Sequence, residues 1–212
     1  MSKPIKYVLI AAAIALVGYN SIYIRKLSDV RNAEKALDFD AKAYALHFLH
    51  STLPAHLDKA IDLLPLTQTL ASNPAKAFSW SHAQNNGNNR FFLVKGSGRI
   101  TKIDSEYTYV AVDGVTPKIA LATRYIIGTA ARDGSGLISV DEFTTTMDMN
   151  TVSEELNKLI RNQVLPPFIA AAKTGETLQF TGGLELQQNA AVPDTLEITP
   201  MILIIKDPFN NR

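Results

Sequence analysis

Residues 85–89 read NNGNN, and the spacing of apolar side chains changes across this stretch. Upstream, from Ser28 to about Ala83, apolar residues recur at intervals of three and four, the spacing of one face of a helix. Downstream they alternate with polar residues in successive runs, the spacing of half-buried strands. The segment between suits a turn or flexible loop. A single switch of period at such a junction confines the chain to the α+β class, with helices first and a mostly β domain after.

In the helical part, LSDVRNAEKALDFD reads as an amphipathic stem, and FDAKAYALHFLHSTL places Phe39, Ala43, Leu46, Leu49 and Leu53 on one apolar stripe. Asp38 or Asp40 is suited to cap its start, and Pro54 to end or kink it. Short helices are expected around HLDKAIDLL, PLTQTLAS and NPAKAFSWSHAQ. After the junction, RFFLVKGSGRITKID reads as a long strand with a bend or bulge at Gly96 and Gly98, and EYTYVAV and KIALATRYII as the second and third. A helical stretch broken at Pro166-Pro167 follows, and ETLQFTGGLELQ and TLEITPMILIIK close the chain. Three strands, a helix and two strands is the order of an OB-like small β-barrel with a helix between strands three and four. The expected organisation is a leading segment over 1–27, a helical stem or subdomain over 28–84, and the barrel over 90–207 with a helical insertion over 151–173.

The leading segment carries Lys3 and Lys6, then no charged side chain from Tyr7 to Ile24, then Arg25-Lys26. Eighteen residues at about 1.5 Å each span roughly 27 Å, close to the hydrocarbon thickness of a bilayer. Tyr7, Tyr19 and Tyr23 lie towards its ends, where amphipathic rings prefer the interface. A cleaved signal peptide shares the basic start and apolar core, but no small-x-small site follows in a polar neighbourhood. The segment therefore reads as a transmembrane anchor or uncleaved signal. Lys and Arg flank it on both sides, so their count does not orient it.

Composition bounds the chemistry. The 212-residue chain is 46% hydrophobic and 19% charged, as globular chains are. A net charge of +1 supplies no field for nucleic acid, which is not an expected partner. With no cysteine there are no disulfides, thiolate zinc sites, iron–sulfur clusters or thiol nucleophiles.

One stretch imitates a known site. ARDGSGLISVDEF, 131–143, lays onto the EF-hand loop with Asp133 third, Ser135 fifth, Gly136 at the turn and Glu142 twelfth. Calcium requires six or more oxygens, largely anionic. Here Ala131 takes the first ligand's place, Arg132 adds positive charge, and the flanks are rich in β-formers where helices are needed. The stretch reads instead as a glycine-bearing loop leading into a short strand, LISVDEF, with calcium binding kept as the alternative.

The same stretch, GTAARDGSGLISVDEF, with MNTVSEELNKLI after it, resembles a bacterial family of predicted periplasmic lipoproteins of unknown function. The matching positions are Gly128, Thr129, Ala130, Arg132, Asp133, Gly136, Ile138, Phe143, Leu156 and Asn157. FDAKAYALHFLHSTLPA, FFLVKGSGRI and LEITPMILII are similar to that family too, so the likeness spans most of the chain. The resemblance implies a body facing the periplasm, which with the apolar leading segment makes a single-pass inner-membrane protein, and for some members it implies an association with sugar importers. Where the family carries a lipobox cysteine this chain has Tyr19, so no thiol is there to acylate. The resemblance brings no catalytic residues.

Other chemistries are weakly marked. His47 and His50 lie three apart on a helix with His56 beyond, but no carboxylate completes a metal site at matching spacing, and no metal or cofactor is expected. KGSGR at 95–99 lacks the phosphate-loop frame, and no nucleophile elbow, HExxH or paired-carboxylate signature occurs. The reading is a non-enzymatic protein; a metal-dependent or hydrolytic enzyme with a dispersed site is the alternative. OB-type barrels bind ligands on the face of strands two and three and at adjoining loops. Those positions hold Tyr107, Tyr109, Lys118, Arg124 and Tyr125, with Arg132 and Asp133 in the next loop. Rings and cations together suit a sugar, a glycan strand or an anionic polymer. The expected partners are the inner membrane and an envelope or transporter protein, or a glycan.

Overall fold

The structure is a computed structural model that describes Ile5, Tyr7, and residues 39–83 and 87–206. The chain divides into two compact units, Met1–Phe39 and Asp40–Arg212. In the first, Ile5 and Tyr7 are helical and exposed. The rest of the expected anchor and the first part of the stem lie outside the described residues. Among the described residues no helix is long and apolar enough to cross a membrane. From Asp40 onward, the segment expected as a stem belongs to the same compact unit as the barrel.

That unit is built on strands β1 (Ile61–Asp62), β2 (Asn89–Ile103), β3 (Tyr107–Ala111), β4 (Lys118–Ala122), β5 (Thr177–Gln187) and β6 (Thr195–Lys206). Their order is β1-β2-β3-β4-β6-β5, and β2 pairs again with β5, so five strands close into a barrel. β4 and β6 are parallel, the other barrel pairs antiparallel, and β1 adds a two-residue parallel rung to β2. This is the OB-type arrangement expected from the order of elements.

The run Phe91-Phe92-Leu93-Val94 is buried throughout although it belongs to one strand. Successive side chains on a strand point to opposite faces. Phe92 and Val94 join Ile100, Val110, Leu121, Phe180 and Ile198 in the main core, so Phe91 and Leu93 must be covered from outside. Of the helices inserted between β4 and β5, α4 (Ala130–Gly134), α5 (Thr146–Leu159) and α6 (Leu165–Ala171), α4 packs against β2 and β5, and Phe168 of α6 joins the main core. The main core also takes in Leu63, Leu66 and Leu70 of α2 (Leu63–Ser72) and Phe78 of α3 (Pro74–Phe78). The Phe78 ring lies 5.9 Å from that of Phe92.

Several expectations are corrected. LISVDEF is not a strand: it holds a 3-10 turn, Val140–Glu142, closed by a Ser139–Glu142 capping box. Its residues satisfy each other locally, so no sheet edge is needed. The third strand stops at Ala122 rather than continuing to Ile127, and Arg132 and Asp133 lie in helix α4 rather than a loop. HLDKAIDLL contains a 3-10 turn, Leu57–Lys59, and β1 before α2 begins.

Pro166-Pro167 does not break its helix, whereas the helix that carries Pro54 ends one residue later, at Ala55. Helix α1 (Ala41–His47) runs through a π turn, Phe48–Thr52, into Leu53–Ala55, and α5 runs through a π turn, Ile160–Val164, into α6. In these turns the Leu53 N–H donates to the Phe48 carbonyl and the Leu165 N–H to the Ile160 carbonyl. Proline removes an N–H and crowds the carbonyl four residues back, and widening the preceding turn accommodates both effects. The buried face of α1 differs from the expected stripe: Ala41, Ala45, Phe48, Leu49 and Leu53 are buried, while Ala43 and Leu46 are exposed.

Helix α4 reaches the barrel at a glycine. A Cβ on Gly183 would stand 2.0 Å from the Ala130 carbonyl oxygen, inside any real contact. Gly183→Ala is expected to force the two backbones apart and cost about 1–3 kcal/mol, measured as a lowered urea midpoint. An unchanged midpoint would show that α4 can withdraw freely.

Candidate functional site

On β3, Thr108 and Val110 are buried and Tyr107 and Tyr109 face outward, half-buried. Their cross-strand partners on β4 are Ala122 and Ala120. Small residues opposite leave room for both rings, whose centroids are 6.2 Å apart. On the other side of β3, a register shift between Ile100 and Lys102 sets Lys102 opposite Tyr109. The Lys102 ammonium lies 5.1 Å from the Tyr109 ring centroid and 3.0 Å from Asp104 Oδ2. Asp104 Oδ1 accepts the N–H groups of Glu106 (3.0 Å) and Tyr107 (2.9 Å), closing the turn between β2 and β3. The Tyr107 hydroxyl donates to Glu197 Oε2 on β6 at 3.1 Å. Burial, and then this carboxylate, push the Tyr107 phenol up.

Beside these residues a cleft of about 520 Å³ opens between the β2–β3 face and the β3–β4 connection. Tyr109, Lys102, Lys118 and Thr101 contribute polar and aromatic surface, and Val112 and Val115 an apolar wall. Its charged lining consists of the two lysines, with no carboxylate. Lys118, at the start of β4, is exposed and makes no ion pair among the described residues. Lys102 and the valines were not among the residues singled out from sequence; only the bulged register brings Lys102 to Tyr109.

The remaining candidates lie elsewhere. Arg124 and Tyr125 follow the end of β4, with the guanidinium 5.5 Å from the ring centroid, and do not line the cleft. Arg132 and Asp133 are 5% and 2% exposed, so they cannot present a surface. They form a bidentate pair: Arg132 Nε donates to Asp133 Oδ1 at 2.6 Å and Nη2 to Oδ2 at 3.1 Å. Nη1 donates to the Met149 carbonyl at 2.9 Å, which ties α4 to α5. Burial, and secondarily the Asp133 charge, push the Glu185 carboxyl up.

The EF-hand positions are likewise engaged. Glu142 Oε1 accepts the Ser139 N–H at 2.8 Å, and Oε2 accepts the Tyr44 hydroxyl at 2.7 Å. Gly136, at φ +59°, packs against His82: a Cβ there would stand 2.2 Å from Nε2. Both the turn and the contact demand glycine. Asn157 Nδ2 donates to the Gly128 carbonyl at 2.9 Å, and the Arg161 guanidinium donates to the Ile126 carbonyl. His50 meets Gln163 at 2.9 Å and His56 the Thr52 carbonyl at 2.8 Å. Among the described residues no cluster of three His, Cys, Asp or Glu is arranged for a metal.

A family model described as "Predicted periplasmic lipoprotein (DUF2291)" matches residues 12–204. The chain belongs to that family. The segment on which the resemblance rested thus ties α4 to α5 through Arg132, packs on His82 through Gly136, and holds the Gly128 carbonyl through Asn157. No curated protein matches the chain. Among solved structures, the chain is similar to an OB-fold protein from Thermotoga maritima MSB8, with a TM-score of 0.71 and 24% identity over 79% of this chain and 99% of that one. That likeness concerns the fold alone.

Two outcomes are expected. Arg132→Met leaves a buried carboxylate without its partner and should cost about 3–5 kcal/mol in urea denaturation, whereas Arg132→Met/Asp133→Leu should recover most of the loss; a double variant no better than the single would contradict this. The N–H groups of Glu106 and Tyr107, and then the Lys102 ammonium, hold the Asp104 carboxyl down to about 2. A depressed carboxyl contributes above the ordinary carboxylate range and loses its contribution as pH falls through its folded value. A carbon NMR titration of Asp104 should therefore have its midpoint near 2; a midpoint in the ordinary range would mean the turn is open in solution.

Proposed function

We propose that the protein is a non-enzymatic binding module of the cell envelope, held at the inner membrane by its N-terminal apolar segment with its body in the periplasm. It captures a negatively charged ligand on the outer face of β3 and β4. One observation carries this reading: Lys102 and Lys118 line the cleft beside Tyr109 and no carboxylate lines it, the Asp104 partner of Lys102 standing outside the lining. A concave site whose charged lining is all of one sign attracts anions more strongly than scattered surface charge does. Tyr109 adds a ring face, and the valines an apolar wall. The family's description as periplasmic supports the compartment, and the charge-free stretch from Tyr7 to Ile24 supports the attachment.

The test is titration of the detergent-solubilised full chain with glucuronate, followed by calorimetry at low and high salt. Glucuronate should bind, weaken as salt rises, and lose about tenfold in affinity in Lys118→Glu. Binding indifferent to salt and to Lys118→Glu would defeat the reading.

A further inference from the structure

A second cleft, of about 600 Å³, lies against the first. The two share Thr116, Pro117 and Lys118 as a common wall. Each falls within the roughly 300–1,000 Å³ of ordinary ligand sites. The second lies between α2 and the loop before β6, which is fastened to the start of β4 by the Lys118 N–H donating to the Asp194 carbonyl at 2.8 Å. Lys118 thus stands at the junction of one groove rather than at the edge of one pocket.

The chemistry changes along that groove. The first cleft has two lysines and a tyrosine; the second shares Lys118 and adds Gln68, Leu70, Val192, Pro193 and Asp194. A carboxylate repels a second anionic group but accepts hydrogen bonds from hydroxyls, and the Gln68 amide both donates and accepts. A uniformly charged polymer would place a negative group beside Asp194, at a cost. A chain that alternates an acidic unit with a neutral, hydroxyl-bearing one fits both halves.

Resting on the binding reading above, we infer that the ligand is a linear acidic glycan, with an acidic sugar seated at Lys102, Tyr109 and Lys118 and a neutral sugar at Gln68 and Asp194. Joining two subsites through one chain makes the second contact intramolecular, so affinity rises with length without any new protein group.

The full chain would be titrated with glucuronate, with a tetrasaccharide alternating glucuronate and N-acetylglucosamine, and with a tetragalacturonate. The alternating tetrasaccharide should bind at least tenfold more tightly than glucuronate, and more tightly than tetragalacturonate. Gln68→Ala, on the exposed face of α2, should remove most of the length gain while leaving glucuronate unaffected. Asp194→Asn should narrow the difference between the two tetramers. If glucuronate binds with the expected salt and Lys118 dependence but length brings no gain, the extended groove is refuted and the binding face stands. If tetragalacturonate binds as well as the alternating chain, the role given to Asp194 is refuted. If glucuronate itself shows no dependence on Lys118, both fall.

Discussion

Strand β2 must satisfy hydrogen-bonding groups along both of its edges, because its pairings with β3 and β5 close the barrel. It pairs with β5 from Asn89 to Arg99 and with β3 from Arg99 to Ile103. Its register with β5 is unbroken, and the irregularity lies on the β3 side, where the shift between Ile100 and Lys102 absorbs one residue. That shift sets Lys102 opposite Tyr109, so the cationic character of the cleft follows from how the barrel closes. The same strand carries Phe91 and Leu93 on its outer surface, which calls for a second layer; α4 packs on the strand, and His82 bridges to Phe91.

The loop that imitates a calcium site belongs to this second layer. Asp133 is bound in two places by Arg132, and Glu142 by Ser139 and Tyr44. A buried ion pair returns little net stability over an apolar substitute, because desolvation offsets the attraction. What this one does visibly is fix a direction, since the third arm of the guanidinium holds the Met149 carbonyl and hence the start of α5.

The barrel was legible in the sequence because alternation reports which side of a strand is covered, and the boundaries of β6 coincide with those read from TLEITPMILIIK. Alternation also placed Tyr107 and Tyr109 on one face. Three things were hidden for identifiable reasons. Arg132 and Asp133 looked like surface residues because charge in sequence suggests solvent, and only the pairing shows that each neutralises the other in the interior. The end of the third strand was overestimated because Tyr125 and Ile127 are good β-formers; both are exposed past the end of β4, beyond any pairing partner. Lys102 gave no signal, because a bulge displaces register by a residue and composition does not record where.

The two π turns lie side by side: His50 in one is hydrogen-bonded to Gln163 in the other. Each amounts to one surplus residue within an otherwise α-helical path. Helical phase is cumulative, so shortening Phe48–Thr52 by one residue would rotate Leu53 about 100° away from the interior and carry Pro54 with it. Gene-length changes here are therefore constrained in a way that point substitutions are not. Related chains should hold the spacing from Ala45 to Pro54, and from Leu156 to Pro166, more strictly than the identities of the residues in between.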